Sequence, residues 1–124
     1  MPSTNDRQAP SGALAASISN AIVGLLHDYT GRGQVRARTT IDENLVVCVL
    51  GATLTKAEQQ LVDAGREKVV LRGRRAIQDT FAEEAIRTVE GLMNREVAAF
   101  MSNNHIEPDL AVEIFILAPV AAGE

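Results

Sequence analysis

The chain has 124 residues, 46% of them hydrophobic and 23% charged, which is the composition of one globular domain with a single core. Sixteen acidic residues against 12 basic ones leave a net charge of -4, so the broad basic footprint of a nucleic-acid binder is missing and any anion site must be local. The one cysteine excludes an intrachain disulfide, and no apolar run approaches the roughly 20 residues of a membrane span, so the chain is expected to be soluble, cytoplasmic and not membrane-spanning.

Residues 1–10 are polar and lack an apolar period, which reads as a disordered tail ahead of a single domain over residues 11–118, with 119–124 as a small-residue tail. From Ser11, a plausible N-cap, Leu14, Ile18, Ile22, Leu25, Leu26 and Tyr29 recur at three- and four-residue steps, the stripe of an amphipathic helix that Gly31 would close. After the Gly31-Arg32-Gly33 loop, residues 34–41 alternate, with Val35, Ala37, Thr39 and Ile41 on one face and Gln34, Arg36, Arg38 and Thr40 on the other. Asp42, Glu43 and Asn44 supply a turn, and Leu45–Leu50 follows as a strand that is apolar on both faces.

Thr55 and Glu58 have the spacing of a capping box, so a short helix starts there and ends or bends near Gly65. Val70, Ile77, Phe81, Ala85, Val89 and Leu92 then mark a second helix from about Arg66 to Met93, with Arg74 the polar residue on that stripe. Such a helix is about 40 Å long, whereas a six-residue strand spans about 20 Å, so it must overhang the sheet or kink at Gly73. Val97–Ser102, a turn over Asn103 to Pro108, and Leu110–Leu117 with Val112, Ile114 and Ile116 on one face complete a second hairpin. The fold class is α+β: a two-layer sandwich in the order α-β-β-α-α-β-β, with a mostly antiparallel sheet.

No set of side chains forms a catalytic or metal signature, and the expectation is a non-enzyme with no metal and no cofactor. His105, Glu107 and Asp109 are ligand-type residues, but turns attract such residues and no fourth ligand is in sight. His27 beside Asp28 fits a helix C-terminus, and Cys48 sits among apolar flanks that favour burial over reactivity. The two-glycine loop follows a helix and precedes a strand, the reverse of a phosphate loop, so it presents the wrong end of the helix dipole to an anion. RNA binding is not expected, since only 3% of the residues are aromatic.

Arginine supplies ten of the 12 basic residues, concentrated at Arg32, Arg36 and Arg38 and again over 66–75. The long helix is basic first and acidic later, opposite to the macrodipole preference, with Glu83–Arg87 and Arg75–Asp79 as offsetting intrahelical pairs. Two copies laid antiparallel would be complementary, which suggests a homodimer. The two-sided apolarity of Leu45–Leu50 supports it, as does Phe115, which alternation sets opposite Ile114 and Ile116. Val46, Cys48, Leu50 and Phe115 are the expected interface.

In its Gly31-Arg32-Gly33 loop, its hairpin with Val35, Asp42 and Leu45–Val47, its Leu54-Thr55-x-x-Glu58 helix start, its long helix and its terminal hairpin, the chain resembles the MpsC-like family of small bacterial domains. Gln34 and Lys56 stand where that family tends to have proline. The resemblance implies a cytoplasmic accessory or regulatory protein of a cation-translocating, membrane-potential-generating system that also supports bicarbonate supply. No catalytic residue is carried over with it. A membrane transport protein is then the expected partner beside a second copy, with Arg32, Arg36, Arg38, Arg74 and Arg75 as contacts. The alternative is a regulatory domain that binds a small ligand or anion through the same arginines.

Overall fold

The computed structural model describes the backbone of residues 3–120 and the side chains of 12–120. Its elements are α1 (Ser3–Thr30), β1 (Arg36–Asp42), β2 (Leu45–Gly51), α2 (Lys56–Asp63), α3 (Glu67–Met93), β3 (Val97–His105) and β4 (Leu110–Leu117). The four strands form one antiparallel sheet in the order β1-β2-β4-β3, so two hairpins lie side by side and join through their second strands. This is the α+β architecture expected from the sequence.

Local chemistry sets the boundaries. Gly31 closes α1 in the left-handed region, with φ +76° and its N–H donating to the His27 carbonyl at 2.8 Å. The capping box is complete: the Glu58 N–H donates to Thr55 Oγ1 at 3.1 Å, and the Thr55 N–H donates to Glu58 Oε1 at 2.8 Å. Gly65, at φ +77°, separates α2 from α3, and Asn94 closes α3 in the same left-handed conformation. The ion pairs Arg75–Asp79 and Arg87–Glu83 both form on the exposed side of α3. α1 begins at Ser3, so the cap expected at Ser11 falls inside it and residues 3–10 of the expected tail belong to the helix. The rest of the two expected tails, residues 1–2 and 121–124, lies outside the described residues. The second hairpin is longer than expected, with β3 running on to His105 and the turn shortened to residues 106–109.

Both long helices cover one face of the sheet. Ile18, Ile22, Leu25 and Leu26 of α1 and Phe81, Ala85 and Val89 of α3 are buried against Val46, Cys48, Leu50, Ala111, Phe115 and Leu117. Tyr29 joins the helices, its ring edge-on to Phe81 at 5.6 Å and its hydroxyl donating to Glu84. α3 runs as one helix through Gly73, and of residues 67–73 only Val70 is buried. α2 buries none of its residues. At the opposite end Arg95 ties the molecule together, donating to Asn44 Oδ1 and to the carbonyls of Glu43 and Ala118.

Candidate functional site

Among the described residues no helix covers the other face of the sheet. Its side chains form four rows across the strands in the order β1, β2, β4, β3: Arg36–Gly51–Leu110–His105, Arg38–Val49–Val112–Asn103, Thr40–Val47–Ile114–Met101 and Asp42–Leu45–Ile116–Ala99. The two central strands thus present an aliphatic strip to the outside. Val49 is 43% exposed, Leu110 40% and Met101 51%, while Val47, Val112, Ile114 and Ile116 shield one another to half-burial. Contiguous exposed apolar surface of this kind is where proteins meet other proteins, membranes or apolar ligands. Toward one end it dips into a groove of about 330 Å³ lined by Val49, Val112, Leu110, Asn103 and His105. β1 forms a polar rim along one side. There Arg36 lies across Gly51, where a Cβ would meet its Nε and Nη2 at 3.5 Å.

The interface residues expected from the sequence are on the wrong side. Val46, Cys48, Leu50 and Phe115 are all 1% exposed or less and form the core beneath the helices, whereas Val47, Val49, Val112, Ile114 and Ile116 face outward. The parity of β4 misleads because its outward face is wholly aliphatic and its inward face carries a charged residue, Glu113. An apolar alternate set is the ordinary mark of a core face.

The five arginines do not form one cluster. Arg36 and Arg38 are exposed on the open face, and among the described residues neither forms an ion pair. Arg32 is held in its loop, Nε donating to the Ala52 carbonyl at 2.9 Å. Arg75 lies on the helical side, where it donates to the Ser102 carbonyl at 2.6 Å and neighbours Asp79. Arg74 is interior, 2% exposed, with Nε 3.0 Å from Glu58 Oε2. It anchors the root of α2 instead of offering a contact. Asp109 fixes the same root, accepting from the Thr53 N–H, the Thr53 hydroxyl and the Leu54 N–H, which occupies the carboxylate that a metal site in the second hairpin would need. His105 Nδ1 is bonded to the Pro108 carbonyl.

The profile of the family described as Na+-translocating membrane potential-generating system (MpsC) matches residues 11–119. The chain belongs to the MpsC family. A Bacillus subtilis (strain 168) protein, described as uncharacterized protein YrhF, is 31% identical over 94 residues, covering 74% of this chain and 77% of that protein. No solved structure matches the chain.

The motifs that carry the family likeness do structural work in this MpsC chain: Gly31 turns the backbone out of α1, Asp42 leads into the Glu43–Asn44 turn, and Thr55 with Glu58 starts α2. Lys56 stands at the first position of α2, where the backbone N–H has no intrahelical partner and proline is not required.

Sequence reasoning missed a polar seam inside this fold. Thr39, Cys48, Glu113 and Ser102 are paired in one row across all four strands on the helix side. From α1, the Ser19 hydroxyl shares a hydrogen bond with Thr39 at 2.7 Å; from α3, Gln78 Nε2 donates to Glu113 Oε2 at 2.9 Å, and Asn104 Nδ2 donates to Gln78 Oε1. Glu113 is 2% exposed, and its Oε1 finds no partner among the protein atoms described. Burial pushes its carboxyl up to about 7, while the Gln78 hydrogen bond and then the charges of Arg75 and Arg74 pull it down. Burial likewise pushes the Cys48 thiol up to about 11, against a hydrogen bond with Thr39 and with a push from the Glu113 charge. Such a thiol is a poor nucleophile.

Proposed function

We propose that this chain is a non-catalytic accessory or regulatory subunit of a Na+-translocating, membrane-potential-generating system, and that it acts as a homodimeric interaction module. The open aliphatic sheet face carries this reading: a two-layer domain that leaves its central strands bare on one side has a surface suited to another protein. The family description supplies the membrane system. Among the described residues no helix is long and apolar enough to cross a membrane, so the link to that system would run through protein contacts. An anion site built from all five arginines would need them on one surface, whereas Arg74 is interior and Arg75 contacts Ser102 on the helix side, apart from Arg36 and Arg38.

Light scattering at micromolar concentration tests the module. The expected mass is twice the 13.3 kDa of one chain, and Ile114→Asp, which places a charge in the middle of the bare strip, should return a single-chain mass. The same variant, if stably expressed, should fail to restore sodium-dependent growth in cells lacking the wild-type gene. Full restoration by a monomeric variant would refute the homodimeric module.

A further inference from the structure

We infer that the open face is occupied by a second copy of this chain whose twofold axis runs across the strands, so that Arg36 of each copy meets Asp42 of the other. This inference rests on the reading of the face as a dimer surface and goes on to specify its geometry.

The β1 rim reads Arg36, Arg38, Thr40, Asp42 along its outward side, basic at one end and acidic at the other. A twofold axis across the strands, between the Arg38 and Thr40 rows, lays this rim on itself head to tail and pairs opposite signs at both ends. A twofold axis along the strands lays β1 on β3, setting Arg36 over His105 and Arg38 over Asn103 with no acidic residue of those rows in reach. Isologous contacts require such self-complementarity.

Shape follows the same operator. The groove lies in the first two rows, toward β3 and β4, and the axis brings over it the last two rows of the second copy. Those rows carry Ile114, Ile116 and the protruding Met101, an unbranched side chain suited to filling an irregular gap. Gly51 of the first row, with the Arg36 side chain across it, meets Leu45 of the fourth.

Four strands about 4.8 Å apart and seven residues of about 3.4 Å make a face of roughly 19 by 24 Å. Two such faces together bury roughly 900 Å², the extent of a weak, concentration-dependent association. The product is a four-layer sandwich with the helices of both copies outward.

The test uses Arg36→Asp and Asp42→Arg, two substitutions at exposed positions, with sedimentation at graded concentrations. Each variant alone sets like charges against one another at both ends of the dimer and should dissociate at least fivefold more readily than wild type. An equimolar mixture of the two places opposite charges at both ends, and dimer affinity should return to within about threefold of wild type. Thermal midpoints within a few degrees of wild type establish that each variant folds. Dimers that persist unchanged in the single variants, or weakened singles that stay weak when mixed, overturn this axis while leaving the dimer itself in place. A wild-type monomer overturns both.

Discussion

Glu113→Gln is expected to stabilise the fold by about 2–3 kcal/mol at pH 8 and to change it by less than about 1 kcal/mol near pH 4. The carboxyl is held at about 7 in the folded chain against an ordinary value of 4.5. Below 4.5 it is protonated in both states and costs nothing. Between 4.5 and 7 unfolding releases a proton, so stability falls as pH rises, by about 1.4 kcal/mol per pH unit, and above 7 the deficit levels off at about 3 kcal/mol. Gln78 and then Arg75 and Arg74 of α3 oppose the effect of burial, and none of them replaces the lost hydration of Oε1. Glutamine keeps an acceptor for Gln78 Nε2 and removes the charge. Urea unfolding of both proteins between pH 4 and 8 measures the difference; parallel curves would show that Glu113 is not the titrating group.

Arg74→Met should cost about 3 kcal/mol, and adding Glu58→Gln should recover more than half of it. The guanidinium is 2% exposed and its ion pair with Glu58 lies at the root of α2, where the same carboxylate accepts from the Thr55 N–H. Removing the cation alone leaves a largely buried carboxylate uncompensated, whereas neutralising both leaves an amide that still serves the cap. A double-mutant cycle by chemical denaturation isolates the coupling. Additive losses would mean that Arg74 contributes through its aliphatic stem and not its charge.

Elements with local signals were legible in the sequence. The stripe from Ile18 to Leu26, the Gly31 and Gly65 stops and the Thr55–Glu58 box all depend on neighbours within four residues, and the structure has each of them. The candidate site was legible only as an abundance of apolar strand residues. Which alternate set faces the helices depends on partners distant in the chain: Glu113 is tolerated inside because Gln78, 35 residues away, reaches it from α3. Without that knowledge Val112, Ile114 and Ile116 look like core and Phe115 like surface. Arg74 misleads similarly, since its ion partner sits 16 positions earlier on a different helix.

The single cysteine gives the molecule a built-in clock for its own opening. Cys48 lies fully enclosed between the sheet and the two long helices with its thiol far from ionisation, so a thiol reagent has nothing to attack until a helix lifts away from the sheet. The rate at which the native protein takes up such a reagent therefore reports how often the two layers come apart, with no engineered label and no second sulfhydryl to confuse the trace.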